Sequence, residues 1–446
     1  NPMSISPQLG PNPSSLDGEK LGRGQSGKLS HGGTLYLVNQ SHPFTLNYSL
    51  SSNGITSSTA QRGLKSSWQQ FGSLMVYTAA GVKGSDKIAG FDIDGCIITT
   101  KSGKVFPTAP DDWKILYPEI QPKLASLLKK GYKVVFFTNQ LGIAKGKLRP
   151  EVFKSKVEDI LVISLSVFQV FVATGPGIYR KPVMGMWNHL CEKVNLHKHA
   201  HTACDLHLCS DAAGRPENWA LGKKKKDFSC SDRLFALNIG LQFYTPEEYF
   251  LGWKRAPYNL PELNPTKLDS AARLYDPPSA SLTSGDTEVI VAVGFPASGK
   301  STFFHTHVIP KGYVYVNRDT LGSWQNCVSA CERALKEGRS VTVDNTNPDP
   351  ESRKRYVDVA KAAGVPCRCF HFSATLEQAK HNNRFREMAP SDSKHAKVND
   401  MVFHSYKKHF QAPALSEGFS EILQIHFVPS FKDKQSETLF RQFSEG

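Results

Sequence analysis

The sequence predicts an α/β protein: two doubly wound parallel-sheet domains after a short all-β remnant. Three observations predict it. β-branched runs alternate with helical stretches from about Trp68 to Phe250, and the alternation resumes at "TEVIVAVGF" and continues to the end of the sequence. A segment loaded with Pro, Ser and Asp, residues 255–286, separates the two series. Several of the apolar runs end in acids, a hydroxyl, an amide or a glycine, and ligands of open parallel sheets sit at such strand ends.

Taken in order, residues 1–50 read as a partial β domain, with "GTLYLVNQSHPFTLNYSL" as two short strands joined by a turn. Residues 51–68 are a Ser/Gly/Thr linker by composition. The first α/β domain is placed at 69–254, with strands "KIAGFDID", "KVVFFTNQ", "FQVFVAT" and "DLHLCSD" and a helix at "IQPKLASLLKKGY". Residues 255–286 form the second linker, and 287–446 the second α/β domain. At 446 residues, two or three cores are expected. There is no internal repeat.

Net charge is +14, which favours a polyanionic partner, nucleic acid before a membrane surface. No apolar run approaches the ~20 residues that span a bilayer. Nine cysteines without framework spacing suit a reducing compartment. His201, Cys204, His207 and Cys209 fit no ordinary zinc spacing and read as a polar loop entering a buried strand. The sequons at Asn39 and Asn47 read as chance matches.

Strand-end logic gathers one constellation in the first domain. Asp92 and Asp94 end the first strand, Thr138 and Asn139 the second, Asp211 the fourth, and Lys181 follows the third in "GIYRKP". An aspartate can take a phosphoryl group covalently, and Asp92 stands first out of its strand. Asp94 can protonate the leaving oxygen and then deprotonate water, while Gly95 turns the backbone away. Thr138 and Lys181 can hold phosphoryl oxygens. Asp92 and Asp211, with the Asp94 backbone, supply hard oxygens suited to Mg²⁺. The pattern resembles the haloacid dehalogenase phosphatases, whose first motif is D-x-D-G-T. Cys96 stands where that family has Thr, and Ser210 where Gly is usual.

The second domain opens on "VIVAVGFPASGKST". Gly294, Phe295, Pro296, Ala297, Ser298, Gly299, Lys300 and Ser301 match the Walker A loop, with Thr302 following. Its backbone N–H groups cradle phosphates, Lys300 reaches the β/γ-phosphates of ATP and Ser301 meets Mg²⁺. Asp319 is suited to take a proton from an attacking hydroxyl, and Asp344 to support the metal. The two roles are interchangeable on sequence logic. Arg384 and Arg386, in "EQAKHNNRFREM", are candidates to close over a transferring phosphate.

Longer runs carry a closer resemblance. "GKVFPTAPDDWKILYPEI", "DAAGRPENWALGKKKKDFSCSDRLFALNIGL", "VNRDTLGSWQ", "VDNTNPD", "CRCFHFSATLEQAKHNNRFREM" and "FRQFSEG" resemble the polynucleotide kinase 3′-phosphatase family, covering nearly everything from Gly32 onward. The resemblance implies a haloacid dehalogenase-like 3′-phosphatase followed by a P-loop 5′-hydroxyl kinase, acting in nuclear DNA-break repair. Asp92 and Asp94 would carry the first reaction, Lys300 and Asp319 the second. The family begins with a forkhead-associated domain that binds phosphorylated repair scaffolds. Here only its last part is expected, with Gly22 to His31 as a loop, which argues against phosphopeptide binding.

Its substrates would be DNA with 3′-phosphate or 5′-hydroxyl ends, and a monomer away from membranes is expected. Backbone-contact candidates are Lys145, Lys147, Arg149, Arg215 and the run Lys223, Lys224, Lys225 and Lys226. Trp113, Trp219 and Trp324 are candidates to stack on bases. RNA-end healing, a small-metabolite kinase/phosphatase, and a scaffold with an inactive phosphatase site stand as the alternatives.

Overall fold

The computed structural model describes residues 66–164, 168–194, 206–389 and 398–445, together with the backbone of six short strands before residue 46. It divides into two units, Asn1–Arg62 and Gly63–Gly446.

The first unit contains β1 (Met3–Ile5), β2 (Ser14–Leu16), β3 (Glu19–Leu21), β4 (Gly27–Leu29), β5 (Thr34–Leu37) and β6 (His42–Thr45). β5 and β6 pair antiparallel, as the sequence predicts, in a sheet of order β3-β2-β5-β6. Gly22 to His31 is not all loop: β4 lies within it and pairs with β1. A three-residue strand is too short for a period-2 pattern to show. The side chains that would read a phosphopeptide lie outside the described residues.

The second unit holds two sheets. The first comprises β7 (Ser67–Phe71), β8 (Leu74–Thr78), β9 (Ile88–Phe91), β12 (Lys133–Asn139), β13 (Gln169–Ala173), β14 (Leu206–Cys209) and β15 (Gln242–Tyr244). A small ribbon, β10 (Ile98–Thr99) and β11 (Lys114–Ile115), stands apart from it. Its helices are α1 (Ile120–Lys129), α2 (Leu141–Ala144), α3 (Pro150–Ser164), α4 (Gly185–Val194), α5 (Ser231–Ile239) and α6 (Pro246–Leu251). The order is β15-β14-β9-β12-β13-β8-β7. The five strands from β15 to β13 are parallel, and β8 and β7 add an antiparallel edge. Ser67 and Trp68, read as linker, therefore belong to the sheet.

β9 and β13 are buried along their whole length, as expected for strands covered on both faces. Phe153, Val157 and Ile160 of α3 pack on one face with Ile120 and Leu124 of α1. Met186, Trp187 and Leu190 of α4 pack on the other with Phe235 of α5. That two-sided cover makes the domain doubly wound.

The second sheet contains β16 (Tyr275–Asp276), β17 (Val289–Val293), β18 (Val314–Val316), β19 (Val341–Val343), β20 (Cys367–Phe372) and β21 (Glu421–Ile425). Its helices are α7 (Lys300–His307), α8 (Arg318–Leu321), α9 (Trp324–Lys336), α10 (Pro350–Ala363), α11 (Leu376–Met388), α12 (Asp400–His409) and α13 (Lys434–Phe440). The order is β16-β21-β20-β17-β19-β18, parallel except for β16. β16 lies in the segment read as the second linker, so the sheet reaches into it. α9 and α10 cover one face and α7 the other.

Candidate active sites

In the first sheet β9 lies between β14 and β12, so the residues after their carboxyl ends converge. The Asp92 N–H donates to Cys209 O at 3.1 Å, which ties the nucleophile candidate to the neighbouring strand. Gly95 has φ +74, and a Cβ there would fall 2.1 Å from the Asp211 carboxylate. Only glycine lets that acid approach. Lys181 is buried, with Nζ 3.4 Å from Asp92, 3.0 Å from Asp232 and 2.7 Å from Phe137 O. Asn139 holds the Lys181 backbone at both ends, accepting from its N–H at 2.9 Å and donating to its carbonyl at 3.1 Å. Asp94 points outward to Gln140 Nε2 at 2.8 Å and Lys156 Nζ at 3.1 Å. Gln140 also reaches Thr138 Oγ1 at 3.1 Å.

Asp92, Asp211 and Asp232 offer oxygens within 4.8 Å of one another. Burial raises the Asp92 pKa well above normal. Lys181 lowers it, but Asp232, Asp211 and Asp94 add to the rise. Burial, then Asp232, push Asp211 up to about 7. Burial works against the Lys181 charge, yet Asp232 and Asp92 outweigh it and raise its pKa. Three crowded hard-oxygen donors, two of them with raised pKa values, fit a divalent cation.

Asp232 was missed by sequence reasoning. It sits in the first turn of α5, not at a strand end, and lies 21 positions beyond Asp211. The departures at Cys96 and Ser210 are absorbed locally. Cys96 is buried, its Sγ donating to Cys209 O at 3.1 Å, and Ser210 donates to Asp232. Neither displaces an acid of the cluster.

In the second sheet β17 feeds Gly294 to Gly299, and α7 begins at Lys300. Ala297 and Gly299 have positive φ, 57 and 90 degrees, which bend the loop around the helix N-terminus. Lys300 Nζ lies 2.7 Å from Phe295 O, and burial lowers its pKa to about 8 despite the pull of Asp344. Ser301 Oγ donates to Asp344 Oδ2 at 2.5 Å, and Tyr315 OH donates to the same oxygen at 2.6 Å. Asp344 is therefore the acid beside the Ser301 hydroxyl. Asp319 is exposed at the start of α8, its N–H capped by Asn317 at 2.9 Å.

The Arg386 charge lies near enough to Lys300 to disfavour the lysine's own, its guanidinium donates to Asn383 Oδ1 at 3.2 Å, and its Nε is buried without a partner. Arg384 instead donates to Ser444 Oγ at 2.9 Å and Glu445 at 2.7 Å. Of the two candidates, then, Arg384 is the one engaged by the C-terminal segment. Tyr315 and Asn382, which donates to Ala297 O at 2.9 Å, were missed. Tyr315 is the middle residue of the three-residue strand β18, too short for a periodic pattern to mark its hydroxyl.

Lys145, Lys147, Arg149, Lys224, Lys225 and Lys226 are exposed. Lys223 is half-buried, 3.4 Å from Glu247. Arg215 corrects the sequence expectation. It is buried, paired with Asp227 and Glu247 at 2.8 Å each, and donates to Asp211 O at 3.3 Å. It braces the acid cluster and has no surface for DNA. Trp113 is buried, Trp219 lies 3.9 Å from the Arg215 guanidinium, and Trp324 is partly exposed under Arg355. His201 and Cys204 lie outside the described residues. His207 bonds Tyr249 OH at 2.9 Å.

Fold and sites together define a haloacid dehalogenase-like phosphatase joined to a P-loop kinase. Family models match polynucleotide kinase 3 phosphatase over residues 87–250 and an AAA domain over residues 321–413. The bifunctional polynucleotide phosphatase/kinase of Schizosaccharomyces pombe is 34% identical over 378 residues, 83% of this chain and 87% of that protein. This chain therefore belongs to the bifunctional polynucleotide phosphatase/kinase family. A putative member from Acanthamoeba polyphaga mimivirus is 33% identical over 385 residues, 80% of this chain and 90% of that one. The polynucleotide 3′-phosphatase ZDP of Arabidopsis thaliana is 37% identical over 194 residues, 40% of this chain and 26% of its own length.

Proposed function

We propose that the chain heals DNA strand ends, removing 3′-phosphate at one site and adding 5′-phosphate at the other. The observation that carries it is Asp92 held 3.4 Å from a buried Lys181 beside Asp211 and Asp232. An Asp92 oxygen bonds to phosphorus while the bond to the 3′ oxygen breaks, and Asp94 protonates that oxygen. Asp94 then takes a proton from water, whose oxygen displaces Asp92 and frees inorganic phosphate. Lys181 and Thr138 hold the phosphoryl oxygens throughout. Asp92, Asp211 and the Asp94 carbonyl would hold Mg²⁺, with Asp232 beside them. Bound there, Mg²⁺ supplies charge compensation for the acids and the phosphoryl group.

In the kinase half ATP is the donor. Asp319 accepts the proton of the 5′-hydroxyl as its oxygen bonds to the γ-phosphorus and ADP leaves. Lys300 and Arg386 offset the charge, and Ser301 with Asp344 would hold the second Mg²⁺. The products, 3′-hydroxyl and 5′-phosphate, are what strand joining requires. Exposed Phe106 (74%) and Phe228 (92%), the latter beside the lysine run, suit contact with unpaired bases. With DNA as its substrate, the compartment proposed for the enzyme is the nucleus.

The test is nicked DNA carrying 3′-phosphate and 5′-hydroxyl, incubated with Mg²⁺ and ATP, alongside the RNA counterpart. Both DNA ends convert. Asp92→Asn abolishes only the 3′ reaction and Lys300→Ala only the 5′ reaction. Conversion of RNA alone, or of neither end, overturns the proposal.

A further inference from the structure

The kinase half sends one short segment into the phosphatase half. Gln442 and Phe443 follow α13 and are buried. Gln442 Oε1 accepts from the Met184 N–H at 2.9 Å, while its Nε2 donates to Thr438 O at 3.3 Å, which orients the amide. The Phe443 N–H donates to Asn238 Oδ1 at 2.9 Å. Asn238 Nδ2 donates in return to Phe443 O at 3.0 Å and to Pro182 O at 2.8 Å.

Each of these bonds except Gln442 Nε2 to Thr438 O falls on the loop that carries Lys181 or on its immediate support. Pro182 is the residue after Lys181, and Met184 precedes α4, where its N–H needs a partner from outside the helix. α5 carries Asp232, which binds Lys181 Nζ at 3.0 Å, near its start and Asn238 near its end. One helix thus fixes both the lysine's charge partner and the anchor of the loop backbone. Apolar packing alone would hold two domains together, for example through Phe443. Backbone-directed amides set position as well, because an unmet buried donor or acceptor forces the loop to move or leaves a polar group stranded.

We propose that Gln442 and Phe443, acting through Asn238, complete the phosphatase site from the kinase half as positioning residues for the Lys181 loop. This rests on the role given to Lys181 above. The same segment continues into Ser444 and Glu445, which hold His381 and Arg384 of α11, so the loop and the kinase helix share one support.

The experiment uses the full chain with Gln442→Met, Gln442→Glu and Asn238→Ser. Turnover of a 3′-phosphate oligonucleotide, of a 5′-hydroxyl oligonucleotide, and the thermal midpoint are measured for each. Gln442→Met is isosteric and lacks the acceptor. It lowers phosphatase kcat about tenfold, the effect of one misplaced or missing buried hydrogen bond at a reacting loop, with KM within about twofold. Kinase kcat stays at the wild-type value, while the midpoint falls only by the few degrees that one unmet buried hydrogen bond costs. Gln442→Glu keeps an oxygen for Met184 and recovers most of the rate, and Asn238→Ser behaves like Gln442→Met from the other side. Unchanged phosphatase kcat in both loss variants overturns the proposal. So does a fall of both activities in step with the midpoint, which would make the segment an adhesive only. A wild-type chain active on 5′-hydroxyl but inert on 3′-phosphate overturns the Lys181 assignment itself.

Discussion

Arg384 and Arg386 are two positions apart on α11, and two helical steps of about 100° turn them to nearly opposite sides. Both cannot meet the phosphate loop. Arg384 is held by Ser444 and Glu445, whereas the Arg386 charge lies near enough to Lys300 to disfavour the lysine's own. Arg386→Ala is therefore expected to lower kinase kcat by about 10²–10³, the loss seen when one charge-stabilising donor is removed. Arg384→Ala keeps kcat within about threefold, since it removes only a partly exposed pair. Equal losses in the two variants would sink the assignment. Residue type offered both arginines as candidates, whereas the helical period already separated them. Asp92, Asp211 and Lys300 were legible because strand ends and a glycine loop mark them. Asp232 was not, because a long loop and a helix start bring it back to Asp211, and no local spacing records that fold.

Between elements, α11 meets α13 through His381, whose Nε2 pairs with Phe440 O at 2.7 Å and Nδ1 with Ser444 Oγ at 3.0 Å. Burial pushes its pKa down to about 4, with Arg384 adding to the fall and the Phe440 carbonyl opposing it. The folded value lies below the unfolded one of about 6.5, so the unfolded chain takes a proton that the native chain refuses. The stability contributed by neutral His381 is complete above pH ~6.5 and is lost as pH falls toward 4. The limiting slope is about 1.4 kcal/mol per pH unit for one proton. Urea midpoints between pH 7 and 4.5 should fall less steeply for His381→Gln than for the wild type, and parallel slopes would refute this. Among the elements that sequence patterning passed over were β4, β16 and the start of β7. Each is two to five residues long and lies in Gly-, Ser- or Pro-rich chain. Strands so short draw their stability from pairing with neighbours, and a local pattern does not report that.

For the whole chain the net charge of +14 is an argument about partners. It has a local form beside the phosphatase site, where exposed Lys224, Lys225 and Lys226 lie between exposed Leu221 and Phe228. Lys223 is set apart from them, drawn toward Glu247 and Trp219. Arg215, under Trp219, ties this loop back to Asp211. A strand whose 3′ end reaches Asp92 would pass its phosphates over the three free lysines. Replacing all three with alanine takes away their charge on those phosphates and leaves the reacting groups in place. KM for a 3′-phosphate oligonucleotide should rise while kcat holds. The slope of log KM against log salt should shrink by about 0.7 for each single-strand phosphate no longer neutralised, or about 2 for three. Kinase KM for a 5′-hydroxyl oligonucleotide serves as the internal control and should change little. If phosphatase KM and its salt slope both match the wild type, the lysines are only a solvated turn and the strand takes another route to Asp92. If kcat falls instead, the loop acts through Arg215 on the acid cluster, which variants at Arg215 would then reproduce.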